Sequence, residues 1–373
     1  LKQAKTMKIA IDIREAGHEK TGKGWYTFNL ISEILKQDRE NSYVFYADNA
    51  KQPFGNHKNV TVKVFPEKSW KWHLKVLKDL QTEKADLFFA PSSYIIPALA
   101  PKSLKTVITV HDLAAFLYPG TYPAKAVLIE RMTLRKALKK AAAVFTVSEN
   151  TRKDLIKRFK PASERIHITP CAPSSFFRQP VSESDLEAVR KSLKLPENFI
   201  LAVGTMDPRK NFNTLIKSFV IIKRKYPDFK LVIVGKKGWN YHLIENALKH
   251  YKMEKEVIFP GYLDDHELQK VYALAKVFVF PSLYEGFGMP PLEAMASGCP
   301  VVSSNSASLP EVVGQGGLLI DARNAIKIAD SVCGLLDDNQ VRLMMIERGR
   351  MQEQKFRWEE SAKKALEVFR ALA

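Results

Sequence analysis

The sequence predicts an α/β protein made of two doubly wound parallel-sheet domains facing each other across a cleft. Three observations carry that expectation. At 373 residues the chain exceeds what one hydrophobic core holds comfortably. Short continuous apolar runs, the mark of strands buried on both faces, alternate with helical patterns. The alternation then starts afresh after the Pro/Ser-rich stretch Pro170-Cys-Ala-Pro-Ser-Ser175.

In the first half, residues 8–13 read as a buried strand, and a helix over 24–35 follows a Gly-rich turn. Further strand runs stand at 43–46, 60–64, 87–89, 106–110 and 144–147. In the second half a polar helix over 182–193 precedes strands at 199–203, 230–234, 257–259 and 277–280. The reading is therefore one domain over 1–175 and another over 176–355, with a hinge near 170–180. An amphipathic helix over 356–373 closes the chain. Doubly wound sheets bind ligands outside the carboxyl ends of their strands, so the strand ends lining the cleft are the expected site.

Composition narrows the class. Apolar residues make up 46% of the chain, and no apolar run approaches the ~20 residues that span a bilayer. Cys171, Cys299 and Cys333 lack metal-ligand spacing, and a sparse, odd count fits a reducing compartment. The polar residues before Met7 do not read as a secretory signal. The expectation is a cytoplasmic protein with room for peripheral attachment to the inner face of the cell membrane. Charge is uneven: residues 1–180 carry 31 Lys and Arg against 16 Asp and Glu, the remainder 27 against 24. An anionic surface or partner on the first half follows.

The richest segment is Ser282-Leu-Tyr-Glu-Gly-Phe-Gly-Met-Pro-Pro-Leu-Glu-Ala-Met-Ala-Ser-Gly-Cys-Pro-Val-Val302. A strand ends just before it, and a Gly/Pro-rich turn opens an Ala-rich helix whose N-terminus favours anions. Gly286 and Gly288 permit close backbone approach, with the amides of Phe287, Gly288 and Met289 nearby. Glu285 and Glu293, seven residues between them, suit two hydroxyl-bearing parts of one extended ligand with its phosphate held between. That describes a nucleotide-sugar. Asp207-Pro-Arg-Lys-Asn211 opens another helix, and Arg209 with Lys210 supplies a fork and a point charge suited to a diphosphate. Cations at a helix start oppose the dipole unless an anion is present. His111 ends a strand of the first domain beside Asp112. Gly22 and Gly24 precede a helix and could cradle phosphate. No Asp-x-Asp and no His/Cys cluster stands at ligand spacing, so neither metal nor cofactor is expected.

The Glu285 to Glu293 segment closely resembles the E-x7-E signature of retaining glycosyltransferases of the family 4 type. Agreement continues through Thr21-Gly-Lys-Gly-Trp-Tyr26, Val110-His-Asp-Leu113, Val147-Ser-Glu-Asn-Thr-Arg152, Gly204-Thr-Met-Asp-Pro-Arg-Lys-Asn211, Val234-Gly-Lys-Lys-Gly-Trp239, Gly261-Tyr-Leu-Asp-Asp265 and Ser308-Leu-Pro-Glu-Val312. The resemblance implies the two-domain GT-B architecture, a last helix that crosses back to the first domain, and retention of anomeric configuration. It assigns Arg209 and Lys210 to the leaving diphosphate, Glu285 to donor-sugar hydroxyls, Glu293 to the ribose, and His111 to the donor sugar near the reacting carbon. Gly204, Lys236, Tyr262 and Leu263 fall to donor binding and the base pocket. The His-Asp-Leu stretch is most similar to the mannosyltransferases, implying GDP-mannose as donor. Two departures stand out: Trp25-Tyr26, where many relatives have Arg before Tyr, and Pro170-Cys-Ala-Pro173, where many have Asn-Gly-Val.

Lys68-Ser-Trp-Lys-Trp-His-Leu-Lys-Val-Leu-Lys-Asp-Leu80 reads as a basic amphipathic helix with Trp70, Leu74 and Leu77 at helical spacing. Arg131, Arg135, Lys136, Lys139 and Lys140 form a second basic helix within 125–141. Together they point to an anionic membrane surface and a glycan or lipid-linked acceptor. The rival readings are a UDP-sugar donor, a nucleotide-sugar epimerase, and a nucleic-acid-binding protein. The last lacks a recognition motif, so no specific nucleic acid is expected.

Overall fold

The computed structural model describes residues 6–18, 22–51 and 53–373. Thr21, which opens the Gly-rich segment, and the polar residues ahead of Thr6 lie outside them. The chain divides into two compact units. Unit 1 runs to Leu117, then takes Ala124–Cys171 and Arg357–Ala373; unit 2 takes Tyr118–Pro123 and Ala172–Phe356. The boundary thus falls after Cys171 rather than at residue 175. Tyr118–Pro123, expected in the first domain, groups with the second because the Tyr118 ring packs on Tyr284 at 5.4 Å.

Unit 1 alternates β1 (Lys8–Asp12), α1 (Arg14–Gly17), α2 (Gly22–Gln37), β2 (Ser42–Ala47), β3 (Val60–Val64), α3 (Trp70–Glu83), β4 (Leu87–Ala90) and α4 (Ile95–Leu99). It continues through β5 (Lys105–Val110), α5 (Ala114–Leu117), α6 (Ala124–Lys140), β6 (Ala143–Thr146), α7 (Glu149–Phe159) and β7 (Ile166–Ile168). Among the described residues these strands form one parallel sheet in the order β3-β2-β1-β4-β5-β6-β7. The chain moves outward one way from β1 and the other way from β4, so a crevice opens between their carboxyl ends.

Unit 2 repeats the plan with α8 (Glu183–Ser192), β8 (Phe199–Val203), α9 (Phe212–Lys225), β9 (Lys230–Val234), α10 (His242–Tyr251), β10 (Val257–Gly261), α11 (Asp265–Leu274) and β11 (Val277–Phe280). Then come α12 (Met289–Ala296), β12 (Val301–Ser304), α13 (Leu309–Val313), β13 (Gly317–Ile320), α14 (Ala325–Asp337) and α15 (Asn339–Glu353). Its strands are parallel in the order β10-β9-β8-β11-β12-β13, which puts the switch between β8 and β11. The last helix, α16 (Trp358–Ala371), belongs to unit 1. Phe369 on α16 packs its ring against Phe89 of β4 and Phe145 of β6, at 5.5 and 6.0 Å.

One face of the unit 1 sheet carries α3, α4, α6 and α7 in a single core with Phe88, Ile108 and Val144. On α3, Trp72, Val76 and Leu80 face the core and Leu77 packs against it, while Trp70 and Leu74 of the expected stripe are exposed. Both sets recur at four-residue spacing, and the sheet selects the one that lets Trp72 Nε1 reach the Ala47 carbonyl at 3.1 Å. Two cations of the second basic helix are also spoken for. Arg131 donates to the Ala115 carbonyl at 2.9 Å, and Lys140 to those of Ala98 and Ala100 at 3.0 and 2.8 Å.

The face assignment of α3 predicts unequal losses. Trp72→Ala lowers stability by about 3–5 kcal/mol through a large cavity, and Trp70→Ala by less than about 0.5 kcal/mol. Denaturant unfolding measures both, and equal losses would overturn the assignment.

Candidate functional site

In unit 2 the switch between β8 and β11 gathers the charged residues. Asp207 caps the turn after β8, its carboxylate accepting from the Arg209 N–H at 2.9 Å. That turn delivers Arg209 and Lys210 beside the loop that leaves β11. There Arg209 Nη1 lies 2.8 Å from Glu285 Oε2, and Lys210 Nζ 2.5 Å from Oε1. Ser282 Oγ donates to Oε1 at 2.6 Å, and Arg209 Nη1 to the Tyr284 carbonyl at 2.7 Å. The three charged side chains are only 11–13% exposed. Burial alone would raise the Glu285 pKa, but attraction to Arg209 and Lys210 outweighs it and draws it down to about 2. The Lys210 ammonium is pulled below its ordinary value by burial, against the attraction of Glu285.

Backbone geometry holds this cluster in place. Gly204 and Gly235 end β8 and β9 at φ +150 and +146, and a Cβ on Gly235 would sit 2.1 Å from the Gly204 carbonyl oxygen. Gly288, at φ +134, lets the loop pass Leu309 into α12; a Cβ there would come within 2.8 Å of that side chain. Gly286 and Phe287 precede it, and Met289 begins the helix. The Phe287 ring turns inward against Phe356 at 5.5 Å, so only its backbone is offered to a ligand.

Glu293 lies on the second turn of α12 and accepts from the Tyr272 hydroxyl at 3.1 Å. Burial, with repulsion from Asp265, raises its carboxyl to about 7. The two signature glutamates therefore differ in kind: Glu285 is a fixed anion, and Glu293 exchanges its proton near neutrality. Lys236, after β9, holds its ammonium 4.8 Å from the centroid of the half-exposed Tyr262 ring, while Leu263 is buried.

Unit 1 holds the remaining predicted residues. His111 follows β5 and is buried, its Nε2 2.7 Å from the Pro91 carbonyl. That carbonyl only accepts, so Nε2 carries the proton and Nδ1 is left as the acceptor. Burial, reinforced by Lys23, lowers the imidazole to about 4. Tyr26 meets the ring edge-on at 4.8 Å, its own hydroxyl anchored on Thr169 at 2.7 Å. Gly22 and Gly24 lie in the first turn of α2. Among the described residues nothing lies within 4 Å of a Cβ placed on Gly22, so no contact there demands glycine.

Comparison with known proteins gives this geometry its family. The profile of the glycosyl transferases group 1 matches residues 185–352, and that of Glycosyltransferase Family 4 matches residues 22–172. O-antigen chain mannosyltransferase B of Escherichia coli is 32% identical over 305 residues, 81% of this chain and 77% of that one. The chain belongs to the family 4 glycosyltransferases. Serotype-specific mannosyltransferase WbdA of Escherichia coli is 30% identical over 72% of this chain, which spans about a third (34%) of that protein. A GDP-mannose-dependent alpha-(1-6)-phosphatidylinositol monomannoside mannosyltransferase of Mycobacterium tuberculosis is 31% identical over 65% of each chain. Among solved structures, Anabaena HepE in complex with UDP and glucose superposes with a TM-score of 0.78 at 19% identity, covering 98% of this chain and 100% of that one. WaaG, a glycosyltransferase involved in lipopolysaccharide biosynthesis, gives 0.75 at 16% identity, covering 96% and 99%. Both share the GT-B fold of this glycosyltransferase, a hexosyltransferase.

Sequence reasoning missed the side chains that set the loops of this glycosyltransferase. Asn211 Nδ2 lies 3.2 Å from the Pro281 carbonyl and 2.7 Å from that of Ala322, tying the strand ends together. The Ser308 hydroxyl sits 2.9 and 2.5 Å from the carbonyls of Glu285 and Phe287. Ser308 opens a segment that had stood out by resemblance alone. Ser282 and Tyr272 carried no signal, since their partners are hydroxyl contacts that no spacing announces.

The charge balance predicts opposite pH behaviour for the glutamates. Glu285, depressed from 4.5, contributes stability that is present above pH 4.5 and lost as pH falls toward 2. Glu285→Gln strands two buried cations and costs about 3–5 kcal/mol at pH 7. Glu293, raised from 4.5 to about 7, favours the fold below pH 4.5 and loses that contribution as pH rises through 7. Glu293→Gln therefore unfolds at a higher temperature than wild type at pH 8, with the gain shrinking by pH 5. Thermal melts between pH 4 and 8 check both, and a Glu293→Gln gain that grows toward acid would contradict the assignment.

Proposed function

We propose that this enzyme transfers mannose from GDP-mannose, with retention, to a saccharide acceptor carried at an anionic membrane surface. The observation that carries the donor reading is the Arg209–Lys210–Glu285 cluster at the unit 2 switch point, in a chain 32% identical to an O-antigen mannosyltransferase. Two cations and the α12 N-terminus provide charge stabilisation for a leaving diphosphate. No divalent ion is required by that arithmetic. Glu293 would hold the ribose and Glu285 the sugar, with Gly204, Gly286, Gly288 and Met289 contributing close backbone. In the reaction the bond from the anomeric carbon to the phosphate oxygen breaks as the acceptor oxygen bonds to the same carbon. The acceptor proton passes to the leaving phosphate oxygen, and GDP departs. His111, with Nδ1 as acceptor, would orient a hydroxyl.

The membrane reading rests on the outer face of unit 1. Trp70 and Leu74 of α3 are exposed beside Lys71, Lys75 and Lys78, and Leu128, Ile129 and Met132 of α6 beside Lys125, Arg135, Lys136 and Lys139. Both helices lie in one layer on one sheet face. Exposed apolar side chains among cations suit an anionic lipid interface. Among the described residues no helix is long and apolar enough to cross a membrane.

Donor-induced thermal shifts test the first part. GDP-mannose should stabilise the protein with or without Mg2+, UDP- and ADP-sugars should not, and Arg209→Ala/Lys210→Ala should abolish the shift. A shift that needs Mg2+, or one selective for a UDP-sugar, overturns the donor reading, and a trapped covalent glycosyl-enzyme overturns the proton path. For the membrane part, flotation with vesicles rich in anionic lipid should capture wild type and lose most of the Trp70→Ala/Leu74→Ser/Lys75→Ala variant. Equal capture by neutral vesicles would sink it.

A further inference from the structure

The unit 1 sheet has its own switch point, between β1 and β4, and a charged pair stands there that no part of the proposed donor site uses. Asp12, the last residue of β1, is 1% exposed, and Arg14 grips it with Nε at 3.0 Å from Oδ1 and Nη2 at 2.7 Å from Oδ2. The Arg14 guanidinium lies 3.6 Å from the centroid of the buried Trp72 ring, which fixes its plane. It is thus held from two sides. Its side chain is 19% exposed, and among the described residues Nη1 has no partner. Beside it His73 is 6% exposed, and its Nδ1 has no hydrogen-bond partner.

The surrounding charge selects the ligand. Asp12 neutralises Arg14 directly, and Asp48 and Glu15 add further negative charge close by. A diphosphate or carboxylate would find the guanidinium's charge already balanced by Asp12, with Glu15 and the His18-paired Asp48 nearby. A neutral hydroxyl meets none of that repulsion, and it can accept from a guanidinium N–H. We propose that Arg14, held by Asp12 and Trp72 at the unit 1 switch point, is a recognition residue for the hydroxyls of the acceptor saccharide. This rests on the transferase reading above. It adds a residue, a ligand class and a reason for a buried ion pair where an apolar pair would pack more cheaply.

Binding of octyl α-mannoside, octyl β-glucoside and octyl β-galactoside, each with GDP present, tests the assignment by saturation-transfer NMR and calorimetry. Asp12→Asn/Arg14→Gln keeps the pair uncharged and hydrogen-bonded, and Arg14→Lys keeps the charge but loses the fork. Wild type should bind at least one glycoside, and both variants should lose about tenfold or more in affinity, as expected for a lost charged hydrogen bond. The GDP-induced melting shift, a property of unit 2, should persist in both. Unchanged glycoside affinity in the variants, or no glycoside bound by a wild type that does bind GDP, overturns the proposal. A wild type that binds no nucleotide would instead remove the transferase reading.

Discussion

The geometry of the unit 2 site depends on one charge balance, the burial of Glu285 with Arg209 and Lys210. Two cations placed after β8 repel each other, and a carboxylate leaving β11 lies within 2.8 Å of both. The cluster sits among Phe280, Tyr284 and Gly204 with little solvent. A low local dielectric strengthens each attraction in the set, which is why Glu285 stays ionised far below the ordinary carboxylate range. On the donor reading proposed above, a diphosphate arriving at Arg209 and Lys210 would compete with Glu285 for cations that are already desolvated and oriented, so little reorganisation would remain.

Preorganisation of this kind needs support behind it. Asn211, at φ +59, spans from the β8 turn to the carbonyls after β11 and β13. Ser308 fixes the two carbonyls that flank Gly286. The close passage of Gly235 over Gly204 brings the ends of β8 and β9 together, which sets where the Lys236–Tyr262 wall begins. Each contact is modest alone. Their joint effect is to leave the cationic pair one geometry.

Much of the fold was legible, because buried parallel strands announce themselves as apolar runs and α/β alternation leaves few topologies. The contiguous segments 207–211 and 282–302 were legible for the same local reason: turn glycines, a helix start and its charges lie side by side. What escaped was nonlocal. Nothing in the spacing of Asn211 indicates a carbonyl 111 residues away, and Tyr272 reaches Glu293 only because α11 packs beside α12. On α3, Trp70–Leu74 and Trp72–Val76–Leu80 have the same period, and only the sheet beneath decides which set is buried. Arg131 and Lys140 looked like surface charges, yet both cover open carbonyls of neighbouring turns. Asp12 and Arg14 passed unremarked, since a pair two residues apart looks like ordinary solvated charge until β1 buries one partner.

The two switch points carry different charge arrangements on one architecture. In unit 2, Arg209 and Lys210 share Glu285, with Asp207 more distant from Arg209 at 3.8 Å. In unit 1 the Arg14 guanidinium has Asp12, Glu15 and Asp48 about it, Asp48 being paired with His18. Other cations of the first half stand on the outer faces of α3 and α6, among the exposed Trp70, Leu74, Leu128 and Met132. On the transfer reading proposed above, cations on a surface of mixed apolar and basic character would meet an anionic lipid interface while the unit 1 crevice takes the saccharide.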